Sequence, residues 1–292
     1  MIVNADDFGL TAGVNRAITE LHASGVLTST TLMARAGATS EAINLALATA
    51  SLGVGCHVVL ADGEPVLPPN EIPTLVDRKT GCFPYKLTEF LARLFTGRIA
   101  AEEIEAEATA QIGLLRSKGL KLTHIDTHKH THMFPQVLRP VLRAARAAGI
   151  RAVRNPFEPA WAVRATAGAG LARCFEVNLL RRLESQCRRI IAEEEFATTS
   201  GTIAVVGTGV LNAAAVRSLI SAMPEGTWEL VTHPGYNDAD LAKVRTRLRA
   251  SRDIERDALL AIKEFPIELL SYADLVNRHT ISASPVASLN RS

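Results

Sequence analysis

Acidic and histidine side chains that could do chemistry are concentrated at a few points of this sequence. Asp6 and Asp7 stand side by side directly after an apolar run, where two carboxylates would repel each other in a packed core. Of the eight histidines, four fall within residues 124–132, and His57 and His233 each end a strand-like segment. Each feature alone is more typical of a structural residue, but their coincidence indicates a functional site.

These residue types fit a site for a divalent metal ion. One carboxylate and two imidazoles hold such an ion while leaving positions open for water and substrate. One of the two aspartates, Asp6 or Asp7, can bind the ion while its neighbour acts as a base toward water whose pKa the ion has lowered. A further histidine, His233, can protonate a leaving amine. We therefore predict metal-assisted hydrolysis of an amide or an ester.

Three other chemistries fit the sequence less well. Residues 7–9 match the D-F-G of protein kinases, but no glycine-rich loop, strand lysine or H-R-D motif precedes them. A serine hydrolase would carry a G-x-S-x-G elbow, which the sequence lacks. His128, His130 and His132 would share one side of an extended segment, as in a metal-storage site made of histidines. Such a site leaves the two aspartates unexplained.

Two further functions stay open. A phosphoesterase also uses a rim of aspartate and histidine, but it would need a second metal ion and a phosphate clamp, for which Arg154 and Lys129 are the candidates. A protein that binds a metal or a sugar without catalysis would carry the same ligands. Replacing Asp6 by Asn would separate binding from catalysis.

Strand-like and helix-like segments alternate along most of the chain. The strand-like segments are residues 1–5, 29–33, 53–59, 122–126, 150–154, 228–233 and 266–271, and the helix-like segments are 12–24, 40–50, 101–118, 135–148 and 251–264. No G-x-G-x-x-G follows a strand, which argues against a dinucleotide fold. Repeated β-then-α units instead predict an α/β fold, a distorted (β/α) barrel of the TIM type with seven or eight strands. The loops after its strands open onto one face, where the acidic and histidine residues should meet.

Two stretches interrupt this alternation within the predicted single barrel domain of residues 1–292. Residues 60–85 contain five prolines and predict a long loop of the kind that binds substrate or covers a site. Residues 159–195 predict an arginine-rich helical insertion. It would be either a solvated helix pair at the barrel rim or a surface for an amphipathic or acidic partner.

The bulk composition is that of an ordinary globular protein. Of the 292 residues, 47% are hydrophobic and 21% are charged, and the net charge of +2 argues against nucleic acid as a partner. The four cysteines form no C-x-x-C pair and predict reduced thiols. Because no signal-peptide pattern and no apolar run near the ~20 residues that span a bilayer is found, we expect a cytoplasmic protein.

Four sequence motifs resemble those of a known family. NADDFGL near the start, GCHVVL at 55–60, THIDTHKHTHMFP at 123–135 and THPGY at 232–236 resemble the YdjC-like carbohydrate deacetylases, in order and over nearly the whole chain. Residues 62–77 and 150–159 are most similar to the hopanoid-biosynthesis-associated (HpnK) branch. The resemblance implies a distorted (β/α) barrel that removes acetyl from an N-acetylated sugar. The branch implies an N-acetylglucosaminyl hopanoid of the bacteriohopanetetrol type, with chito-oligosaccharides as the alternative substrate.

The resemblance also implies a role for each matching residue. Asp7, His57 and His128 would bind the metal ion, Asp6 would be the base that activates water, and His233 would protonate the leaving amine. The family is associated with Mg²⁺, whereas two imidazoles and one carboxylate suit Zn²⁺ better. We therefore expect one divalent ion, Zn²⁺ or Mg²⁺.

The remaining implications concern the substrate and its surroundings. Arg154, Asn155, His130 and His132 would line the substrate site, and Lys129 stands where related deacetylases often have another histidine. Lys129 should point away from the metal ligands. A glycolipid substrate would bring the enzyme to the inner membrane as a peripheral protein, through residues 159–195. A homodimer stays open.

Overall fold

The computed structural model describes residues 1–166 and 168–283. The strands are β1 (Ile2–Phe8), β2 (Ser29–Leu32), β3 (Gly53–Val58), β4 (Ile125–Thr127), β5 (Gly201–Ile203) and β6 (Trp228–Thr232). The α-helices are α1 (Ala12–Ala23), α2 (Thr39–Ala48), α3 (Leu87–Phe95), α4 (Ala101–Ser117), α5 (Pro135–Ala147), α6 (Ala160–Ala165), α7 (Leu171–Leu180), α8 (Glu184–Glu193), α9 (Ala213–Ser221), α10 (Arg252–Ala258) and α11 (Tyr272–Ala283). Short 3-10 turns run over His128–Met133, Arg181–Leu183, Leu241–Lys243 and Leu259–Glu264.

The strands form one sheet in the order β4-β3-β2-β1-β6-β5, and all of its pairs are parallel. Beyond β4, isolated bridges join Ile125 to Val153 and Ala152 to Ala197, so the sheet curls as a half-barrel. The central strands are buried on both faces, because helices cover the outside and side chains fill the inside. The predicted α/β fold with a parallel sheet is confirmed, and the architecture fits a distorted barrel.

The expected count of seven or eight strands is wrong for residues 1–166 and 168–283, which form six. Residues 150–154 contribute two isolated bridges instead of a strand. Residues 266–271 hydrogen-bond to Met1 through Glu268 and Leu270 without joining the sheet. The short β5 and the helices α3, α9 and α11 were not predicted. β5 has three residues, too few to show a recognisable period in the sequence. Its pairing with β6 is decided by tertiary contacts.

The long loop at residues 60–85 is fastened to one face of α4. Gln111 pairs with both backbone groups of the residue that precedes the loop, at 2.9 and 2.7 Å. Glu107 accepts two backbone N–H groups of the loop at 2.8 and 3.0 Å, and Glu103 accepts a third from Thr74 at 2.8 Å. These three side chains lie four residues apart and therefore share one side of the helix. These hydrogen bonds hold the loop against α4.

Within 159–195, the described residues form the predicted helical structure as α6, α7, the turn Arg181–Leu183 and α8. Val177 of α7 packs with Val205, Val206 and Val231 near the ends of β5 and β6, so α7 lies at the rim to which the strand ends point. That residues 159–195 are an insertion in the fold stays a prediction. That residues 1–292 form a single domain also stays a prediction.

Gly55 of β3 allows the strand that carries His57 to pass over the His124 ring. A Cβ at Gly55 would lie 2.6 to 2.7 Å from three atoms of that ring, which stacks on Tyr272 at 3.9 Å between ring centres. We expect Gly55→Ala to lower the free energy of unfolding by about 1–3 kcal/mol, because the ring has no room to move away. Urea unfolding measures this change.

The control is Gly113→Ala, on the exposed side of α4 with open space around it. This change should raise the free energy of unfolding by about 0.5–1 kcal/mol, because alanine favours the helix. Equal stability of the Gly55→Ala variant and the unchanged protein would contradict the close packing of Gly55 against the His124 ring.

Candidate active site

The two adjacent aspartates enter one site because the end of β1 is irregular. Successive residues of a regular strand point to opposite faces, so Asp6 and Asp7 would be separated. The pairing of β1 with β2 shifts register between Ala5 and Phe8, and Asp7 has a left-handed backbone with φ of 66°. Bulges and left-handed non-glycine residues recur at functional sites. Here the irregularity brings both carboxylates to the same strand end.

Asp7, His57 and His128 form a triangle of potential metal ligands. Asp7 Oδ1 lies 3.7 Å from His57 Nε2 and 3.5 Å from His128 Nδ1, and the two imidazole nitrogens are 3.2 Å apart. Ligand atoms of a tetrahedral ion at about 2.1 Å lie roughly 3.4 Å from one another. The spacing and the donor types of this set, which the family resemblance implied, therefore fit one divalent ion with open positions.

A second group, Asp6, His57 and Asp126, is also close enough to share an ion. Its atoms are already engaged: Arg154 donates to Asp6 at 2.6 and 2.9 Å, and the same guanidinium is 2.5 Å from Asp126. An ion there would have to displace a buried arginine. The first triangle requires no such displacement, because the arginine that contacts Asp7 does so at Oδ2 and leaves Oδ1 to face the two histidines.

Asp126 fixes the orientation of His57. Its Oδ1 lies 2.7 Å from His57 Nδ1, which turns Nε2 toward Asp7. A carboxylate behind a ligating histidine sets its tautomer and makes it a stronger ligand. Burial works against a charged ring, but Asp126 outweighs it and raises the pKa of His57 to about 9. Without a metal ion, His57 is therefore protonated at neutral pH.

Asp6 is held by a buried network centred on Arg154. This arginine has no exposed surface, and besides Asp6 and Asp126 it contacts Glu229 at 2.7 Å. Glu229 in turn accepts a hydrogen bond from Tyr272 at 2.5 Å. Burial opposes ionisation of Asp6, but the charge of Arg154 prevails and lowers the pKa of the carboxyl. Asp6 is thus an ionised, oriented carboxylate at neutral pH.

His233 also lies beside Asp6, near the oxygen that accepts from Arg154 Nη1. Its Nε2 is 3.8 Å from Asp6 Oδ2, and its backbone N–H donates to Glu255 at 2.8 Å. The ring Nδ1 is 3.8 Å from the same Glu255 oxygen. Burial disfavours the charged ring, but the Glu255 carboxylate outweighs it and raises the pKa of His233. His233 is therefore suited to carry a proton.

The four residues expected to line the substrate site have mainly internal partners. Arg154 is committed to carboxylates, and Asn155, 1% exposed, bonds with the carbonyl of Thr199 and a backbone N–H. His132 is fully buried and bonds through Nδ1 to a threonine hydroxyl at 2.8 Å. His130 is partly exposed, with a buried Nδ1 that has no hydrogen-bond partner. Of these four, His130 has the ring nitrogen left over for a ligand.

The histidine-rich segment is not extended, which overturns the idea of a metal site made of histidines. Lys129 and His130 have left-handed backbones with φ of 57° and 52°, within the turn His128–Met133. His128 faces Asp7, whereas the rings of His130 and His132 pack against each other with centres 6.3 Å apart. Lys129 points away from the triangle, as expected, and its Nζ is 2.8 Å from Asp62.

Arg252, Glu255, Asp126 and Glu229 contact the site, but the sequence did not reveal their roles. Glu229 and Asp126 gave a usable signal, because a charged residue within an apolar strand must find a buried partner. Arg252 and Glu255 gave none, since they lie in a helix that contains several other charged residues. Their contacts with Asp7 and His233 join residues far apart in the chain.

The fold and the site together define a parallel α/β protein with a metal-type triangle next to a carboxylate and a histidine. The sequence profile of the YdjC-like protein family matches residues 1–263, so the chain belongs to that family.

Individual relatives agree with this assignment. A carbohydrate deacetylase from Brevibacillus brevis is 43% identical over 145 residues, so the match spans 50% of this chain and 55% of that protein. One from Thermoanaerobacter pseudethanolicus is 28% identical over 285 residues, 94% of this chain and 98% of the relative. The crystal structure of a proposed cellobiose-phosphate cleavage protein from Enterococcus faecalis V583 has a TM-score of 0.71 and 27% identity, covering 94% of this chain and 97% of that one.

Metal binding should release a proton from His57. Because its pKa of about 9 lies above neutral pH, the ion must displace that proton to reach Nε2. Calorimetric titration with Zn²⁺ at pH 7, in buffers of different ionisation enthalpy, should find about one proton released by this ring. Apparent affinity should rise about tenfold per pH unit until pH approaches 9.

The same shift affects the metal-free protein. A raised pKa means that protonated His57 stabilises the fold fully below its ordinary value of 6.5, and this contribution is lost as pH rises toward 9.

In Asp126→Asn the pKa of His57 should fall, and fewer protons should leave on metal binding. Binding without proton release in the unchanged protein would contradict this account of the Asp126–His57 pair.

Proposed function

We propose that this protein is a metal-dependent N-deacetylase that removes the acetyl group from an N-acetylglucosamine-bearing substrate. The observation that carries the proposal is the Asp7–His57–His128 triangle with Asp6 and His233 beside it. Membership of the YdjC-like family and the similarity to proteins named carbohydrate deacetylases support the same chemistry.

The donor set favours a particular kind of ion. Two imidazole nitrogens and one carboxylate oxygen suit Zn²⁺ better than Mg²⁺, which prefers oxygen ligands. A divalent ion held there would supply Lewis acidity, polarising the acetyl carbonyl and lowering the pKa of water. Asp7, His57 and His128 would hold the ion. Asp6 and His233, which lie beside these ligands, would accept and donate protons.

The environments of Asp6 and His233 suit opposite proton-transfer roles. Arg154 keeps Asp6 ionised, so it can accept a proton from the water that attacks the acetyl carbon. Glu255 favours protonated His233, which can give a proton to the nitrogen as the C–N bond breaks. The products are acetate and a free amine. Arg154 then orients Asp6, a different role from the sugar contact expected from the sequence.

The substrate is proposed at two levels. Any N-acetylated sugar satisfies the chemistry of the site, and chito-oligosaccharides are the simplest case. Residues 62–77 and 150–159, which resemble the hopanoid-associated branch, support an N-acetylglucosaminyl hopanoid. A protein that binds metal and sugar without catalysis remains the alternative from a different class.

Asp6→Asn should abolish turnover while keeping the metal site. Loss of the base should reduce acetate release about 10²–10⁴-fold from N-acetylglucosaminyl hopanoid or chito-oligosaccharides. Zn²⁺ affinity should change little, because Asp7, His57 and His128 are retained. The measurements are acetate release and calorimetric titration with Zn²⁺ or Mg²⁺.

The control is Asp240→Asn, which alters an exposed pair with Lys243 and should keep full activity. Unchanged acetate release from Asp6→Asn would remove Asp6 from the mechanism. If the unchanged protein released no acetate from either substrate with either ion, the deacetylase proposal would fail and the binding protein would be favoured.

We further propose that α7 contacts the membrane that carries a glycolipid substrate. Leu171, Phe175 and Leu179 are 89%, 70% and 46% exposed and follow one another at four-residue intervals, which aligns them on one side of the helix. Arg181 and Arg182 follow at its end, a make-up typical of interfacial helices. Within the described part of the chain, no helix is long and apolar enough to cross a membrane. A homodimer stays a prediction.

Leu171→Ser, Phe175→Ser and Leu179→Ser together should weaken sedimentation with anionic lipid vesicles at least tenfold, because they remove the apolar stripe. The control is Leu47→Ser on α2, where the leucine is 51% exposed, close to the 46% of Leu179. Turnover of a water-soluble chito-oligosaccharide should be unchanged in both. Equal vesicle binding by the triple variant and the control would overturn the membrane contact.

A further inference from the structure

Arg252 is a buried arginine whose contacts the proposed reaction does not use. It begins α10, is 1% exposed, and its Nη2 donates to Asp7 Oδ2 at 2.5 Å. Its Nε and Nη1 are buried without a hydrogen-bond partner. Burying a guanidinium with unmet donors costs stability, so this arrangement calls for an explanation beyond packing.

The contact divides the carboxylate of Asp7 between two neighbours. Oδ2 faces Arg252, whereas Oδ1 is the oxygen that lies near both His57 and His128. A carboxylate with both oxygens free can bind an ion through one or through two atoms. An arginine on Oδ2 holds that oxygen back and leaves Oδ1 as the ligand.

Arg252 is itself locked in place by the chain that follows His233. A Cβ at Gly235 would lie 2.9 Å from Arg252 Cδ, and the Gly235 N–H donates to the Arg252 carbonyl at 3.3 Å. One turn further along α10, Glu255 accepts the backbone N–H of His233. The first turn of this helix therefore contacts both the candidate metal ligand and the candidate proton donor.

We propose that Arg252 is a positioning residue that makes Asp7 a one-oxygen ligand and holds it in its left-handed conformation. The inference rests on the proposed metal site at Asp7, His57 and His128. Partners behind a metal ligand typically contribute 10–100-fold to metal affinity. Arg252 acts through Asp7 and contacts neither the ion nor the substrate.

The test measures metal binding by the full chain with Arg252→Met and Arg252→Lys, using Zn²⁺ and Co²⁺ as probes. Arg252→Met should weaken Zn²⁺ binding about 10–100-fold. The visible absorption of bound Co²⁺ should weaken as well, because a second Asp7 oxygen raises the coordination number. The Zn²⁺ affinity of Arg252→Lys, which keeps the charge, should lie between that of the unchanged protein and that of Arg252→Met.

The matched control is Arg217→Met, which breaks an arginine–carboxylate pair with Glu264 on the outside of the protein. It should bind both ions like the unchanged protein. If Arg252→Met does not fold, Gly235→Ala provides the second variant, because its Cβ displaces the Arg252 side chain without removing the charge. It should weaken Zn²⁺ binding relative to the unchanged protein, and an affinity within twofold of the unchanged protein would count against the proposal.

Two results would overturn the role of Arg252. The first is that Arg252→Met binds Zn²⁺ within twofold of the unchanged protein and has an unaltered Co²⁺ spectrum. The second is that Arg252→Met binds Zn²⁺ more tightly, which would mean that repulsion between the arginine and the ion dominates. Failure of the metal site itself gives a different result. In that case the unchanged protein would bind neither ion, and Asp7→Asn would make no difference.

Discussion

Two buried arginines allow two adjacent carboxylates to stay charged at the end of β1. Arg154 binds Asp6 through two nitrogens, and Arg252 binds one oxygen of Asp7. Each carboxylate on its own would be expensive to bury as an anion. With its own cation, each has a pKa below the ordinary value despite burial. The site depends on this separate pairing, because it gives two neighbouring residues different surroundings.

The rest of the site extends outward from these pairs. Arg154 also binds Asp126, which orients His57, so the residue that holds the candidate base also holds the support of a candidate metal ligand. The helix that supplies Arg252 supplies Glu255, which sits beside His233. Changes to this buried network should therefore be strongly coupled, since its members share partners. Changes to exposed ion pairs such as Arg217–Glu264 should not be coupled to this network, because such pairs share no partner with it.

The sequence allowed much of this site to be predicted, and the failures have physical causes. The residue pattern placed Asp6, Asp7, His57, His233 and the histidines of 124–132 at the ends of strand-like segments, and the family resemblance implied which of them bind the ion. The parallel order made their convergence a geometric expectation. The alternating histidines at 128, 130 and 132 do not share one side, because two left-handed residues replace the extended backbone that such sharing requires. The strand count failed where backbone pairing was reduced to bridges.

The sequence by itself determined the α/β class, the strand-end positions of the acidic and histidine residues, and the residue types for metal and proton chemistry. These follow from local period and side-chain chemistry, which a linear pattern records. Only the tertiary structure decided that Asp6 meets Arg154 and Asp7 meets Arg252, 148 and 245 residues away. Such pairings depend on the curl of the sheet and the irregular end of β1, which no local pattern specifies. The adjacent aspartates could be noticed in the sequence, but their separate roles required the fold.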